Sequence, residues 1–207
     1  MIGPSSSHTA GACRIGKMAK TISGEEIKKV SFYLHGSFAE TYKGHGTDRA
    51  LLAGVLGCSP DDERIRDAFN LAKDRGLEYN FIKTDLGNVH PNTVKILFEY
   101  YDGHTFYVTG SSIGGGNILI IDINGTSVNF TGDYPTIILR YTEQKGIIAW
   151  LSTLLADNGY NIESMKTIKN GEIVSLIVEI ESDLEKKLKD IIDADRRFIF
   201  TKYIASK

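Results

Sequence analysis

Asn170-Gly171-Glu172-Ile173-Val174-Ser175-Leu176-Ile177-Val178-Glu179-Ile180 settles the fold of the C-terminal part of this chain. Asn-Gly is a strong hairpin signal, because the tight turn between two strands needs positive φ at both central residues. After it, Val174, Leu176, Val178 and Ile180 alternate with their neighbours, which is the period of a strand with one buried face. Ile162 to Thr167 reads as the strand on the other side of the turn. Further back, Ile147, Ile148, Leu151, Leu154 and Leu155 share one face of a helix over Lys145 to Asn158, and Gly159 fits its C-terminus. Thr136 to Tyr141 is a short apolar strand before that helix. On the far side, Ser182 reads as an N-cap with Glu185 as its capping-box partner. Leu184, Leu188, Ile191 and Ile192 line the helix that follows, and Phe198 to Ile204 closes as a strand. The order is βαββαβ, a split βαβ arrangement in which two helices cover one sheet face.

Composition changes ahead of this module. Eighteen of the 21 glycines and all four prolines lie at or before Pro135. The reading is two domains, residues 1–133 and 136–207, joined around Gly132-Asp133-Tyr134-Pro135. At 207 residues the chain can bury a core without disulfides or metals as staples. Lys+Arg 24 against Asp+Glu 26 gives a net charge of −2, which argues against a nucleic-acid or anionic-membrane partner. No apolar run approaches the ~20 residues that span a bilayer. No signal peptide is visible after Met1, so a cytoplasmic location is expected. Cys13 and Cys58, the two cysteines, are too few for a metal or iron–sulfur site of this chain's own and read as small buried hydrophobes.

The first domain is expected to be a less regular mixture of helix and strand. Thr9 to Ile22 reads as a helix whose small residues Ala10, Gly11, Ala12 and Gly16 let something approach its backbone closely. Val30 to Leu34 reads as a strand, Asp48 to Leu56 and Asp61 to Arg75 as helices, and Tyr79 to Lys83 as a strand. Val94 to Phe130 reads as antiparallel strands with turns at Asp102-Gly103 and Asn124-Gly125.

Four segments of this domain carry chemistry. Gly3-Pro4-Ser5-Ser6-Ser7-His8-Thr9 runs into a helix, so hydroxyls and free backbone N–H groups there can cradle a carboxylate or phosphate. His8 stands in the middle of it, where an imidazole can move protons near pH 7. The plain alternative is a serine-rich helix cap. A Ser–His nucleophile pair has no acid placed to orient it and no G-x-S-x-G elbow. His35 to Asp48 packs two histidines and three glycines into a turn after a strand, which is either a site loop or simple turn geometry. His90-Pro91-Asn92-Thr93 is a turn entering a strand. Ser111-Ser112-Ile113-Gly114-Gly115-Gly116-Asn117 is an anion nest or a hairpin kink, and is neither a P-loop nor a Rossmann fingerprint. In the second domain, Tyr141 to Gly146 and Asn161 stand near strand ends.

Together these strings resemble the beta subunit of bacterial iron–sulfur-dependent L-serine dehydratase (L-serine ammonia-lyase). The resemblance rests on Ile2 to Gly11, Gly36 to Asp48, His90 to Thr93 and Ser112 to Gly116, and it covers nearly the whole chain. It implies an α+β protein: a mixed α/β domain, similar to the allosteric substrate-binding domain of phosphoglycerate dehydrogenases, followed by a ferredoxin-like ACT domain. It implies deamination of L-serine to pyruvate and ammonia, a step in amino-acid catabolism and gluconeogenesis. The implied cofactor is a [4Fe–4S] cluster ligated by a separate alpha subunit, with no pyridoxal phosphate and no metal ligand from this chain. Activity is then expected only in the heterodimer. By the same resemblance His8 is the acid/base or substrate-positioning residue, and Ser5, Ser6, Ser7, Thr9, Gly114 and Gly115 face the substrate. Glu40, Tyr42 and His45 are expected nearby. Glu143 and Asn161 are the candidate ACT effector residues, and self-association through that domain is expected. The family usually carries a further segment ahead of the first motif, whereas Met1 stands two residues before Gly3, so an internal or shortened start is expected. The competing reading is a non-catalytic, amino-acid-binding regulatory subunit.

Overall fold

The computed structural model describes residues 7–24 and 27–205. The chain forms two compact units, divided between Gly125 and Thr126. The composition change at Gly132–Pro135 falls a few residues later, because glycine and proline mark turns rather than the limits of a packed unit.

In the first unit a π-helical turn, Ser7–Gly11, runs into α1 (Ala12–Ser23). Then come β1 (Ile27–Leu34), α2 (Gly36–Thr41), α3 (Thr47–Val55), a 3₁₀ turn (Glu63–Asp67), α4 (Ala68–Asp74), β2 (Glu78–Lys83), β3 (Thr93–Tyr100), β4 (Thr105–Gly114) and β5 (Asn117–Ile123). The sheet runs in the order β2-β1-β3-β4-β5. β1 and β2 are parallel, so the chain between them must cross over, and it does so through α2, α3 and α4. The other pairings in this order are antiparallel. The stretch read as one helix from Asp61 is two pieces. Asp62 caps the 3₁₀ turn by accepting from the Arg64 N–H, and Asp67 leaves helical geometry at ψ +17° before α4. The segment read as a turn after β1 begins with the short helix α2.

Ile15, Ile22, Phe32, Leu34, Leu51, Leu52, Ile96 and Phe98 are fully buried in this unit. α1 and α3 cross with their backbones in contact. A Cβ at Gly16 would lie 2.3 Å from the Leu51 carbonyl oxygen, and one at Gly54 would lie 2.1 Å from that of Cys13. The close approach expected from the small residues of this segment is therefore made by α3 at Gly16 and by Ser112 of β4 at Gly11.

The second unit holds β6 (Thr126–Phe130), β7 (Thr136–Thr142), α5 (Ile147–Asp157), β8 (Ile162–Asn170), β9 (Ile173–Ile180), α6 (Lys186–Asp193) and β10 (Phe198–Ile204). Its sheet order is β10-β7-β9-β8, antiparallel throughout. Leu139 stands opposite Leu176 and Ile137 opposite Val178, which puts the alternating apolar residues of β7 and β9 on one face. Ile147, Leu151 and Leu155 of α5 and Leu188 and Ile192 of α6 cover that face. This is the expected βαββαβ order. α6, however, starts at Lys186, and no side chain of its own segment caps it. Two tyrosines do the work assigned to Ser182: Tyr203 Oη accepts from the Leu184 N–H and Tyr160 Oη from the Glu185 N–H, both at 3.0 Å. The capping box fails because tertiary donors and acceptors replace the local ones.

Candidate active site

The π-helical turn places His8 against α2 and the loop behind it. His8 Nε2 is 3.0 Å from Ser37 Oγ on the first turn of α2. The Phe38 ring meets the imidazole edge-on at 5.4 Å, and the His45 ring lies at 5.0 Å, tilted by 40°. Thr9 is buried and its hydroxyl points at the His45 carbonyl oxygen, 3.5 Å away. α2 is fixed from outside by the His90–Thr93 segment. Gly36 adopts φ +53°, and a Cβ there would lie 2.7 Å from the Pro91 carbonyl oxygen, so this position needs glycine on both counts.

The glycine run reaches the same place from β4 and β5. Ser112 Oγ packs directly on Gly11, where a Cβ would stand only 2.1 Å from it. The Ser112 N–H donates to the Asn92 carbonyl at 2.9 Å, and Thr93 Oγ1 and Ser111 Oγ share a hydrogen bond of 2.7 Å. Arg14, in the first turn of α1, donates to the Gly116 carbonyl at 3.0 Å and ties the β4–β5 turn to the start of α1. Four segments distant in sequence therefore converge.

Several polar atoms here have no protein partner. Six buried side-chain polar atoms are unpaired among the described residues, and four belong to these segments: His45 Nδ1, Thr47 Oγ1, Asn92 Oδ1 and Ser112 Oγ. A buried polar atom left unpaired costs about 1–3 kcal/mol, so folded chains rarely cluster them without a ligand or partner to meet. Burial, followed by the charge of His45, holds the His8 imidazole below its ordinary 6.5. Asp48, at the start of α3, is pushed up by burial, against the opposing Arg49 N–H. A half-buried imidazole of lowered basicity stays neutral at pH 7 and can accept a proton.

The residues expected at the site divide. Ser5 and Ser6 lie outside the described residues. Ser7 opens the π turn, half-buried, next to His8. His8, Thr9 and His45 come together, and Gly114 and Gly115 belong to the β4–β5 turn, whose Gly116 is the glycine that meets the π turn, at Ala10. Glu40 is exposed on α2. Tyr42 turns away and stacks on Phe81 at 5.9 Å, with Phe81 in turn stacked on Phe32. In the second unit Glu143 pairs with Lys169, and its N–H donates to the Glu172 carbonyl. The Asn161 carbonyl accepts from the Glu181 N–H at 3.1 Å. Glu143 and Asn161 therefore sit at opposite ends of β9 within one chain, roughly 30 Å apart at ~3.3 Å per residue. Ser37, Thr47, Asn92 and Ser112 lie inside the quoted strings but had no feature to single them out. Arg14 gave no signal at all.

Among the described residues no group of three or more His, Cys, Asp or Glu side chains could hold a metal ion. Cys13 and Cys58 are buried and free. Burial pushes the Cys13 thiol up to about 12, whereas a cluster ligand is a thiolate. These residues do not fit an iron–sulfur seat.

Against curated proteins, the chain is 54% identical over 207 residues to the L-serine dehydratase beta chain of Peptoniphilus asaccharolyticus, covering 99% of this chain and 93% of that one. The chain belongs to the L-serine dehydratase beta-chain family. The family described as serine dehydratase beta chain matches residues 1–75, which contain the π turn, α1, α2 and α3. The probable L-serine dehydratase beta chain of Bacillus subtilis is 39% identical and matches 92% of this chain and 87% of its own length. A D-3-phosphoglycerate dehydrogenase of the same species is 26% identical over 88% of this chain, but that match spans only 36% of the dehydrogenase. The beta-chain family thus accounts for both units of the molecule.

Proposed function

We propose that this chain is the beta subunit of an L-serine dehydratase and completes its active site only beside a separate alpha chain. The observation that carries this reading is the convergence of His8, Thr9, His45, Asn92 and Ser112 from four segments, with buried polar atoms still unpaired. The [4Fe–4S] cluster of the resemblance is assigned to the alpha chain, since the cysteines here do not fit it; pyridoxal phosphate is not part of the reading. What this chain contributes is local. Ser7, Thr9 and the Gly114–Gly115 turn bind the substrate carboxylate, with Ser5 and Ser6 preceding them. His8 holds or accepts the proton of the serine Cα, and loss of the β-hydroxyl as water leaves aminoacrylate. Water then hydrolyses that product to pyruvate and ammonia, so the atoms balance. Phe38 and the buried walls of α1 and α3 exclude bulk water from the imidazole.

The second unit is read as an ACT domain, on the βαββαβ order and the β10-β7-β9-β8 sheet. With Glu143 and Asn161 at opposite ends of β9, an effector seat containing both needs two copies, which favours self-association through this unit. No helix among the described residues is long and apolar enough to cross a membrane. Two free buried thiols fit the cytoplasmic location expected from the sequence.

The test is anaerobic pyruvate formation from L-serine by this chain mixed with a cluster-loaded alpha chain, beside His8→Ala. Pyruvate only with both chains, lost in His8→Ala while the complex still assembles, is the expected result. Full activity from the alpha chain alone sinks the reading. The likeness to a phosphoglycerate dehydrogenase favours a second one, an amino-acid-binding regulatory subunit. Saturable L-serine binding with no effect of His8→Ala on turnover would select it.

A further inference from the structure

We propose that His35 is a positioning residue of the candidate site, and that the charge of its ring decides whether it holds. The inference rests on the dehydratase reading for its effect on turnover but not for the latch itself. His35 stands between β1 and α2, in extended geometry, as the residue from which α2 starts. Its Nδ1 lies 3.1 Å from the Leu86 backbone nitrogen. A backbone N–H can only donate, so Nδ1 is the acceptor and the neutral ring carries its proton on Nε2. The same Nδ1 lies 3.4 Å from Asp85 Oδ1. A carboxylate can only accept, so this second contact is favourable only when Nδ1 is protonated. Two neighbours thus require opposite states of one atom, and the second proton of the ring chooses between them.

The latch closes on the connection from β2 to β3. The Thr84 N–H donates to the Leu34 carbonyl at 2.9 Å, and two residues later Leu86 meets the ring. Further along, Pro91 packs on Gly36 and accepts from the Phe38 N–H at 3.5 Å, and the Thr93 carbonyl accepts from the His35 N–H at 3.0 Å. One connection therefore grips the start of α2 at several points, and α2 carries the Ser37 and Phe38 that His8 touches. Protonation sets an Nδ1–H against the Leu86 N–H, so the loop must turn that amide away, and the ring passes to Asp85. The Asp85 side chain is 86% exposed and accepts from the Gly87 N–H at 2.8 Å, so it moves with the loop. The other titratable groups of the adjoining elements are engaged elsewhere or face water. Glu40, Lys83 and His90 are exposed, and Tyr33 stands opposite Lys95, which lies over the Tyr107 ring. Tyr42 stacks on Phe81, and His45 lies against His8.

The experiment has two readouts on the full chain and one on the complex. Long-range proton–nitrogen spectra of ¹⁵N-histidine-labelled protein report the tautomer and charge of His35, with His35→Asn assigning the signal. Neutral His35 is expected as the Nε2–H form. Hydrogen exchange at the Leu86 amide, expressed as a protection factor to remove the pH dependence of exchange itself, is expected to fall about tenfold as the ring takes its second proton. Asparagine offers an acceptor oxygen in the place of Nδ1 and takes up no proton. His35→Asn is therefore expected to keep Leu86 protected over the same pH range, and His35→Ala to lose that protection throughout. In the complex with the alpha chain, kcat of the wild type relative to His35→Asn is expected to fall about threefold between the neutral and the charged ring, with His8 titrating alike in both. A neutral His35 protonated at Nδ1, a Leu86 amide whose protection ignores the charge of the ring, or a kcat ratio flat across the titration overturns the proposal. If the wild-type complex makes no pyruvate, the dehydratase reading fails, and the tautomer and the Leu86 exchange still decide whether the latch exists.

Discussion

Replacing Gly54 by alanine tests whether the crossing of α1 and α3 holds the candidate site together. The new Cβ would stand 2.1 Å from the Cys13 carbonyl oxygen and 2.8 Å from the Lys17 backbone nitrogen, where ordinary contact begins at 3.4 Å. Both obstacles are backbone atoms of a regular helix, so neither can rotate aside, and the helices must part by about 1 Å. Overpacking of this kind costs about 3 kcal/mol when nothing flexible can give. Alanine is a better helix former than glycine by about 1 kcal/mol, which offsets part of that. The net expectation is a loss of about 2 kcal/mol, or a fall of about 6 °C in Tm for a unit of this size. The site is affected too, because α1 follows the His8 turn and α3 follows His45 directly. Calorimetry of the full chain gives the stability, and pyruvate formation by the complex gives the effect on the site. Gly44→Ala is the control: its Cβ would meet only the Thr41 carbonyl oxygen at 3.7 Å. If Gly54→Ala matches Gly44→Ala in Tm and turnover, the backbone contact does not hold the site, and the reasoning is refuted.

The pH dependence of stability has a defined sign. His8 is held below its ordinary 6.5, chiefly by burial, so the unfolded chain binds the extra proton first as pH falls. Its contribution is therefore intact above about 6.5 and is lost as the pH drops below that value; His8→Gln should flatten this part of the stability curve, and an unchanged slope would count against it. Asp48, raised by burial, acts in the opposite sense at lower pH, losing its contribution as the pH rises through its folded-state value. At the start of α6, Tyr203→Phe removes the acceptor of the Leu184 N–H and the donor to Asp183 Oδ1. A loss of about 1–2 kcal/mol is expected in urea unfolding followed through the second unit. No change in midpoint would show that the tyrosine cap is dispensable.

The second unit was legible almost element by element, because its apolar residues recur in sequence at strand and helix periods, although β9 is buried on both faces and β8 shows no alternating burial. Val174, Leu176, Val178 and Ile180 are buried where their alternation puts them. The start of α6 was not legible, since Tyr160 lies 25 residues from Glu185 and local capping rules cannot see it. In the first unit the chemistry-bearing strings were legible as strings. Their meeting was not, because Ser37 lies 29 residues from His8, and Gly116 lies 102 from Arg14. Tyr42 shows the limit from the other side. It occupies a motif, yet its ring belongs to the Phe81–Phe32 stack, and nothing in the local pattern tells an aromatic ring which of two surfaces to face.

The four unpaired polar atoms have an evolutionary consequence. Positions 45, 47, 92 and 112 weaken the isolated chain, since smaller or apolar residues there would remove buried groups that have nothing to bond. A population of variants selected only for heat resistance should drift at these positions, with Ser112→Ala and Thr47→Val among the first to rise. A population selected for growth on the reaction should hold them fixed and collect its stabilising changes elsewhere. On the proposed dehydratase reading, the same four atoms that make the lone subunit less durable than it could be are where the assembled enzyme would resist change.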